Sequence, residues 1–358
     1  MASPDLPKAA LYYFPKSIWS TIPLLVLEEK GYAPDEIDLK VVDLHKGEQY
    51  TPSYLRLNPN GTVPTLVVPL HKTLSLEIES RYKAIQDSKA RSIAEFLDKS
   101  RSTQSRTHTT SSAPSPSLSP ATIAFSAVSE KVIALIRSDA ANPNALTILN
   151  GHDEESLRVV TEARLWVLTA RQQALERLLT DNESASISVS EKTRRFWETK
   201  KNSVAEYLPV LQDAEKPTDQ LDGHARQVRE NYWKDSKAAW FALRQALLQL
   251  NQEIIGPYVL GDQLSLADLH LAAWLARLVK LSGGTISDDG NTAIGRIEAH
   301  TGPAFSLPKD LSVAEARRRA GLPIPDAESN ERQNRLAAFW DAVKERPSFK
   351  KVYAEGLH

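Results

Sequence analysis

One stretch of this chain decides how the rest of it can fold. From residue 101 to residue 120 the sequence RSTQSRTHTTSSAPSPSLSP is dominated by Ser, Thr and Pro, and no apolar residue recurs in it at a helical or strand spacing. Such a segment has too little apolar surface to offset the entropy lost on ordering, so it reads as a linker between two folding units. The length of 358 residues agrees with this, since a single hydrophobic core stops growing at roughly 250 residues.

The two sides of the linker carry different periods. On the N-terminal side, AALYYF (9 to 14) is an apolar and aromatic run ended by Pro15 and predicts a buried strand. The next segment, SIWSTIPLLVLEEKG, has apolar residues at Ile18, Ile22, Leu25 and Leu27 and stops at Gly31, the pattern of a helix closed by glycine, with Pro23 expected in its first turns. Strands follow at 37 to 44, 62 to 68 and 81 to 85, with a short helical turn at TPSYLRLNP and a final helix in DSKARSIAEFLDKS, capped by Asp87 or Ser88. Residues 1–100 therefore form a small α/β layer. On the C-terminal side the spacing is helical throughout, with helices predicted at 121–138, 153–181, 189–214, 222–253, 265–281, 312–320 and 328–346, which makes 121–358 an all-α domain.

Charge and composition narrow the function. Lys+Arg number 44 against Asp+Glu 45, so nothing draws the chain towards phosphate backbones or anionic lipid, and neither a nucleic-acid nor a membrane partner is expected. There is no cysteine, which removes disulfides, thiolate nucleophiles, redox dithiols and cysteine-ligated zinc. The eight histidines show no ligand spacing, so no metal is expected, and His270 reads as a packed residue. With no apolar signal core and no apolar run of about 20 residues, the expected location is cytoplasmic.

Two motifs are specific. In NPNGTVPTL (58 to 66), Pro64 enters a strand, where it cannot donate to the ladder; it belongs at a strand start or edge, and a cis Val63–Pro64 bond would offer the Val63 backbone to an extended peptide. In LGDQLSLADLHLAAWLAR (260 to 277), Ser265 and Asp268 have capping-box spacing. Taken in order, the β-α-β opening, NPNGTVPTL, a helix that begins Asp-Ser, the capping box and FWDAVKERPSFKKVY (339 to 353) resemble the cytosolic glutathione transferase family, and the Ser/Pro linker is most similar to a fungal branch of it. The resemblance covers nearly all of the chain except the linker and the loops near 140 and 282 to 311. It implies a thioredoxin-like N-terminal domain that binds glutathione, followed by an all-α helical-bundle C-terminal domain that shapes the electrophile pocket, in a homodimeric detoxification enzyme.

The same resemblance assigns residues. A Ser, Tyr or Cys after the first strand holds the glutathione sulfur in this family, and LYYFPKS resembles the serine-type pattern, which selects Ser17 over Tyr13, with Ser20 or Thr21 behind them. Lowering a thiol pKa from 8.5 by about two units takes roughly 2.7 kcal/mol, which a hydroxyl donor to an anion (about 1.5–3 kcal/mol) and a helix N-terminus (about 0.3–1 kcal/mol) together supply. Val63 and Pro64 would pair the cysteinyl unit, and Asp87 and Ser88 would hold the γ-glutamyl end, with Glu79-Ser80-Arg81 as the competing acid-Ser motif. Gly61 and Thr62 stand where many members carry a Lys or His for the glycyl carboxylate, so His45 or Lys46 is the candidate replacement. Trp19 reads equally as a wall of the site or as packing, and Arg164, Trp166 and Arg171 are candidates to line the electrophile pocket. The expected function is conjugation of glutathione, as cosubstrate, to a small hydrophobic electrophile. A glutathione-dependent lyase, isomerase or ether-cleaving enzyme on the same fold, or a non-catalytic binding or regulatory protein, remains the alternative.

Overall fold

The computed structural model describes residues 8–69, 82–86, 90–102, 109–324 and 330–358. Strands β1 (Ala9–Tyr13), β2 (Ile37–Val41), β3 (Thr65–Pro69) and β4 (Tyr82–Gln86) form one sheet in the order β2-β1-β3-β4. β1 and β2 run parallel, and β3 is antiparallel to both β1 and β4. Helices α1 (Ile18–Glu29), α2 (Pro52–Leu57) and α3 (Ala90–Ser100) connect and flank the strands. Gly31 ends the α1 segment at φ +65°, as the sequence predicts, and Pro23 lies at the sixth position of the helix, deeper than the first turn. β2, an edge strand, ends at Val41, short of the predicted 44, and every residue after Ile37 in it is exposed.

From Ile123 onward the chain is helical: α4 (Ile123–Ile136), α5 (Pro143–Ile148), α6 (Glu154–Glu183), α7 (Glu191–Ala205), α8 (Leu208–Gln212), α9 (Gly223–Glu253), α10 (Leu266–Leu281), α11 (Gly290–His300), α12 (Val313–Arg319), α13 (Arg335–Lys344) and α14 (Pro347–Val352). The helix predicted at 189–214 is two helices. Pro209 has no N–H for the carbonyl of Ala205, and α7 ends at that residue. Sequence reading passes over α5 and α11, since Asn142-Pro143 and Asp289-Gly290 read as breaks; in the fold Asn142 and Asp289 are N-caps, receiving the N–H groups of Asn144 and Thr292. A two-residue antiparallel ladder of β5 (Leu311–Ser312) and β6 (Arg332–Gln333) interrupts the region expected to be all helical.

The two parts share one core. Leu11, Ile22, Leu66 and Ile93 from the sheet layer belong to the same buried cluster as Leu243, Trp274, Leu278 and Trp340 from the helical region, with α1 packed on α10. Across the junction Arg346 holds Glu29 through two bonds of 2.7 and 2.6 Å.

The Ser/Thr/Pro segment has no regular secondary structure over 109–120, yet it is not the loose tether its composition predicts. Leu118 is buried in the core and its carbonyl receives the Leu266 N–H at 2.9 Å. Asp98 accepts the N–H groups of Leu118 and Ser119, each at 3.0 Å, and pairs with Lys30 at 2.9 Å, where both side chains are almost fully buried. Lys30 donates in turn to the Pro116 carbonyl at 2.7 Å, and Arg101 bonds the Ala113 carbonyl at 2.8 Å and the Glu36 carboxylate at 3.3 Å. Composition cannot reveal this docking, because two of the charges that fasten the segment, Lys30 at the end of α1 and Asp98 in α3, lie outside it.

Candidate active site

The sheet register gathers the predicted residues at one end of the molecule. β1 leaves the sheet at Tyr13, whose carbonyl receives the Val42 N–H at 2.8 Å, and the turn Phe14 to Ser17 is closed by the Ser17 N–H on the Phe14 carbonyl at 3.0 Å. The last β1–β3 pair is Tyr12 with Thr65, so Val63 lies just beyond the same end of the sheet as Ser17. β4 closes there too, with Gln86 opposite Thr65. Asp87 and Ser88, the residues that follow, lie outside the described residues, as do Glu79, Ser80 and Arg81.

Ser17 is half-buried and is the N-cap of α1. Its Oγ accepts the Ser20 N–H at 3.4 Å, and its own proton is given to no acceptor among the described residues. The first turn of α1 carries no acidic side chain, so the positive end of the helix is not neutralised. Ser20 and Thr21 are engaged elsewhere: both are fully buried, Ser20 Oγ takes the Phe14 N–H at 3.3 Å, and Thr21 Oγ1 bonds the Ser17 carbonyl at 3.1 Å and His358 Nε2 at 2.9 Å. Tyr13 packs against the main core, as does Trp19, whose ring lies under the Arg137 guanidinium at 4.5 Å.

The Val63–Pro64 peptide bond is cis. The Val63 side chain is buried with Val42 and Tyr54, while its backbone N–H and carbonyl have no partner among the described residues. Neighbouring groups secure the loop: the Tyr54 hydroxyl and the Asn58 amide donate to the Thr62 carbonyl at 2.6 and 2.8 Å, and Asn58 also reaches Thr65 Oγ1 at 3.0 Å. Gly61, at φ +59°, sits where a Cβ would approach Phe196 Cζ at 3.0 Å, so a larger residue there meets α7.

Neither candidate substitute for the glycyl-carboxylate cation is well placed. Lys46 is exposed and pairs with Asp43 at 3.5 Å. His45 stacks edge-on between Phe14 and Trp166, with centroids 4.8 and 4.7 Å away, and burial together with the Arg171 charge lowers its pKa, so its ring is neutral at pH 7. The positive charge near this loop comes instead from α6, where Arg171 Nε donates to the Leu44 carbonyl at 2.9 Å. Trp166, 55% exposed, stands beside His45 and also borders an open depression of about 800 Å³ along the outer side of α6, past Val159 and Glu162. That depression holds none of the residues expected to bind glutathione.

Residues 16–100 match the family model described as glutathione S-transferase, N-terminal domain. They form a glutathione S-transferase N-terminal domain. The mixed sheet with α1 and α3 is the thioredoxin-like core of this domain, and the mostly helical region follows it. Glutathione S-transferase 1 of Dianthus caryophyllus is 42% identical over 67 residues, 19% of this chain and 29% of the relative. A zeta class glutathione S-transferase of Euphorbia esula is 41% identical over 64 residues, 18% of this chain and 27% of the relative. The match thus spans under a third of the length of these curated relatives. Among solved structures, the chain is similar to glutathione transferase F2 from Populus trichocarpa, at 14% identity and a TM-score of 0.45 over 97% of this chain and 98% of that one. It is also similar to the beta-etherase LigF from Sphingobium sp. strain SYK-6, at 15% identity and a TM-score of 0.46 over 98% and 100% of the two chains. Among the described residues there is no group of three or more potential metal ligands, and no helix long and apolar enough to cross a membrane.

Proposed function

We propose that this protein is a glutathione transferase that joins the glutathione thiolate to a small electrophile. The observation that carries the reading is the Ser17 hydroxyl, an N-cap whose proton goes to no acceptor among the described residues, at the sheet end where the Val63 backbone also has no partner among them. Glutathione lies along the Val63 edge in extended form, its cysteinyl unit pairing with that N–H and carbonyl. Asp87 and Ser88 take the γ-glutamyl ammonium and carboxylate. Ser17 donates to the sulfur and, with the α1 N-terminus, favours the thiolate.

The thiolate then attacks the electrophilic carbon, forming a C–S bond as the leaving group departs with its electron pair. The protein contributes orientation and charge stabilisation, and no covalent intermediate with the chain is required. Assembly as a homodimer and a cytoplasmic location belong to the same proposal, the first checked by light scattering. The direct test combines glutathione titration, followed by tryptophan fluorescence, with a chlorodinitrobenzene conjugation assay. Saturable binding with turnover supports the transferase. Binding without turnover redirects the proposal to a glutathione-dependent lyase, isomerase or ether-cleaving enzyme, or to a binding protein, and no binding refutes it.

A further inference from the structure

Helix α6 turns two arginines towards the protein interior. Leu157, Thr161, Arg164, Leu168, Arg171 and Leu175 follow one another at spacings of four and three, which places them on one helix face. Leu157, Thr161, Leu168 and Leu175 are buried, and the two arginines share their stripe. Arg171 uses Nε on the Leu44 carbonyl, and Arg164 makes no hydrogen bond or ion pair with any described residue. A third arginine comes from α10. Arg277 is only 6% exposed; its Nη1 bonds Thr147 Oγ1 at 3.0 Å, its Nη2 bonds the Lys16 carbonyl at 2.9 Å, and its Nε is buried without a partner among the described residues. Lys16, exposed, immediately precedes Ser17.

Among the described residues these cations lie within electrostatic reach of one another rather than of carboxylates. Burial lowers the pKa of Arg164, and Arg171 lowers it further; burial and then Arg164 push Arg277 down to about 10. His45 is affected by Arg171, Lys16 and Arg164, and the acid that bears on it, Asp43, is already paired with Lys46. The two acids of α1 are engaged elsewhere, Glu28 with Lys351 and Glu29 with Arg346. Arg277 is buried and Arg164 and Arg171 are half-buried; guanidinium groups withdrawn from water with no counter-charge among the described residues are costly, and bound anions relieve that cost.

Resting on the reading of Ser17 as the thiolate holder, we propose that Arg164, Arg171 and Arg277, with Lys16 at the rim, seat a carboxylate carried by the electrophile. The unused donors are all of Arg164, the terminal nitrogens of Arg171 and Nε of Arg277, and planar guanidinium forks match a carboxylate in a bidentate manner. The seat is anchored to the carbonyl of Lys16, one residue from the reactive hydroxyl, so a substrate held there by its acid group presents its electrophilic carbon near the sulfur. The helical region thus selects acidic electrophiles over neutral ones of the same shape.

The test uses two matched electrophiles, 4-chloro-3-nitrobenzoate and 4-chloro-3-nitrobenzamide, each with glutathione and each normalised to its uncatalysed rate. The native protein should favour the benzoate about tenfold or more in kcat/KM, as expected for a charge-assisted hydrogen bond. Arg164→Gln should erase the preference, and Arg164→Lys should retain part of it. Equal normalised rates in the native protein, or a preference that survives Arg164→Gln, would overturn the proposal. Glutathione carries a glycyl carboxylate of its own, so the assay is repeated with γ-glutamylcysteine. If Arg164→Gln raises KM for glutathione but not for γ-glutamylcysteine, and leaves the benzoate preference intact, the arginines hold the tripeptide and the proposal fails. Equilibrium dialysis of 3-nitrobenzoate against 3-nitrobenzamide needs no turnover. At least about tenfold tighter, salt-sensitive binding of the benzoate supports the seat even if no conjugation occurs, in which case the transferase reading alone falls; equal binding overturns the seat.

Discussion

Ser17 Oγ receives the Ser20 N–H at 3.4 Å as part of the α1 cap, and this acceptor role leaves the hydroxyl proton for a group outside the helix. The tyrosine pair, the proline and the serine of LYYFPKS point to this position in the sequence; that Ser20 and Thr21 are taken by Phe14, the Ser17 carbonyl and His358 was not legible there, since hydrogen-bond partners are set by packing. The same limit hid a histidine pair. His152 and His300 are far apart in sequence, yet their Nε2 atoms lie 3.0 Å apart, with Asn150 Oδ1 2.8 Å from His300 Nε2 and Ser236 Oγ 3.1 Å from His152 Nδ1. Ser236 donates to the Leu149 carbonyl, so its oxygen is left to accept from His152 Nδ1–H, and the single His300 Nε2–H is shared by Asn150 Oδ1 and His152 Nε2; both rings are neutral. Burial, then His152, pushes His300 down to about 4 from 6.5. The folded state therefore resists a proton that the unfolded chain accepts, so this contribution to stability is complete above pH 6.5 and is lost as the pH falls towards 4. Asp268, raised to about 6 by burial, acts in the opposite sense, so the comparison that isolates the pair is native protein against His300→Gln. Urea unfolding midpoints should fall less steeply with acidification in the variant over that window; parallel curves would contradict the account.

Helix caps were the element-scale features most visible in the sequence. Ser265 and Asp268 stand at the start of α10, where the buried carboxylate takes the Ser265 N–H at 2.7 Å and hydroxyl at 2.6 Å through one oxygen and the Val259 N–H at 2.6 Å through the other. The spacing announced the first contact but not the third, which depends on how the chain before α10 folds back. Asp268→Ala strands two buried N–H groups and should cost about 2–4 kcal/mol, read as a lower urea midpoint with an unchanged slope. A loss under about 1 kcal/mol would refute this weighting. The docked segment makes a second case. Asp98 is held below the usual carboxylate range because the bonds from Ser119, Leu118 and Lys30 outweigh the opposing effect of burial. Asp98→Ala leaves Lys30 buried without its counter-charge, so a loss of about 3–5 kcal/mol is expected, together with new protease cleavage between α3 and α4. An unchanged cleavage pattern would show that the segment is held by other means.

On the scale of the whole molecule, the change of period across residues 101–120 foretold a sheet layer followed by helices, but it could not foretell that the two would share one core through α1 and α10. Composition records which faces are apolar and is silent on which faces meet. Arg164, Arg171 and Arg277 illustrate the point, since the sevenfold spacing of the first two is readable in the sequence, while the bond from Arg171 to the Leu44 carbonyl and that from Arg277 to the Lys16 carbonyl depend on docking of the helical region. The proposed site is a product of that docking, with the sulfur-activating hydroxyl on one side and positive charge on the other. Its central claim concerns the ionisation of a bound thiol, which ultraviolet titration of the glutathione thiolate on the protein measures directly. The native protein should bring the thiol pKa well below 8.5, and Ser17→Ala should raise it by about one to two units with much less change in glutathione affinity. A bound thiol that titrates like the free one, or a pKa unmoved by Ser17→Ala, would contradict the account.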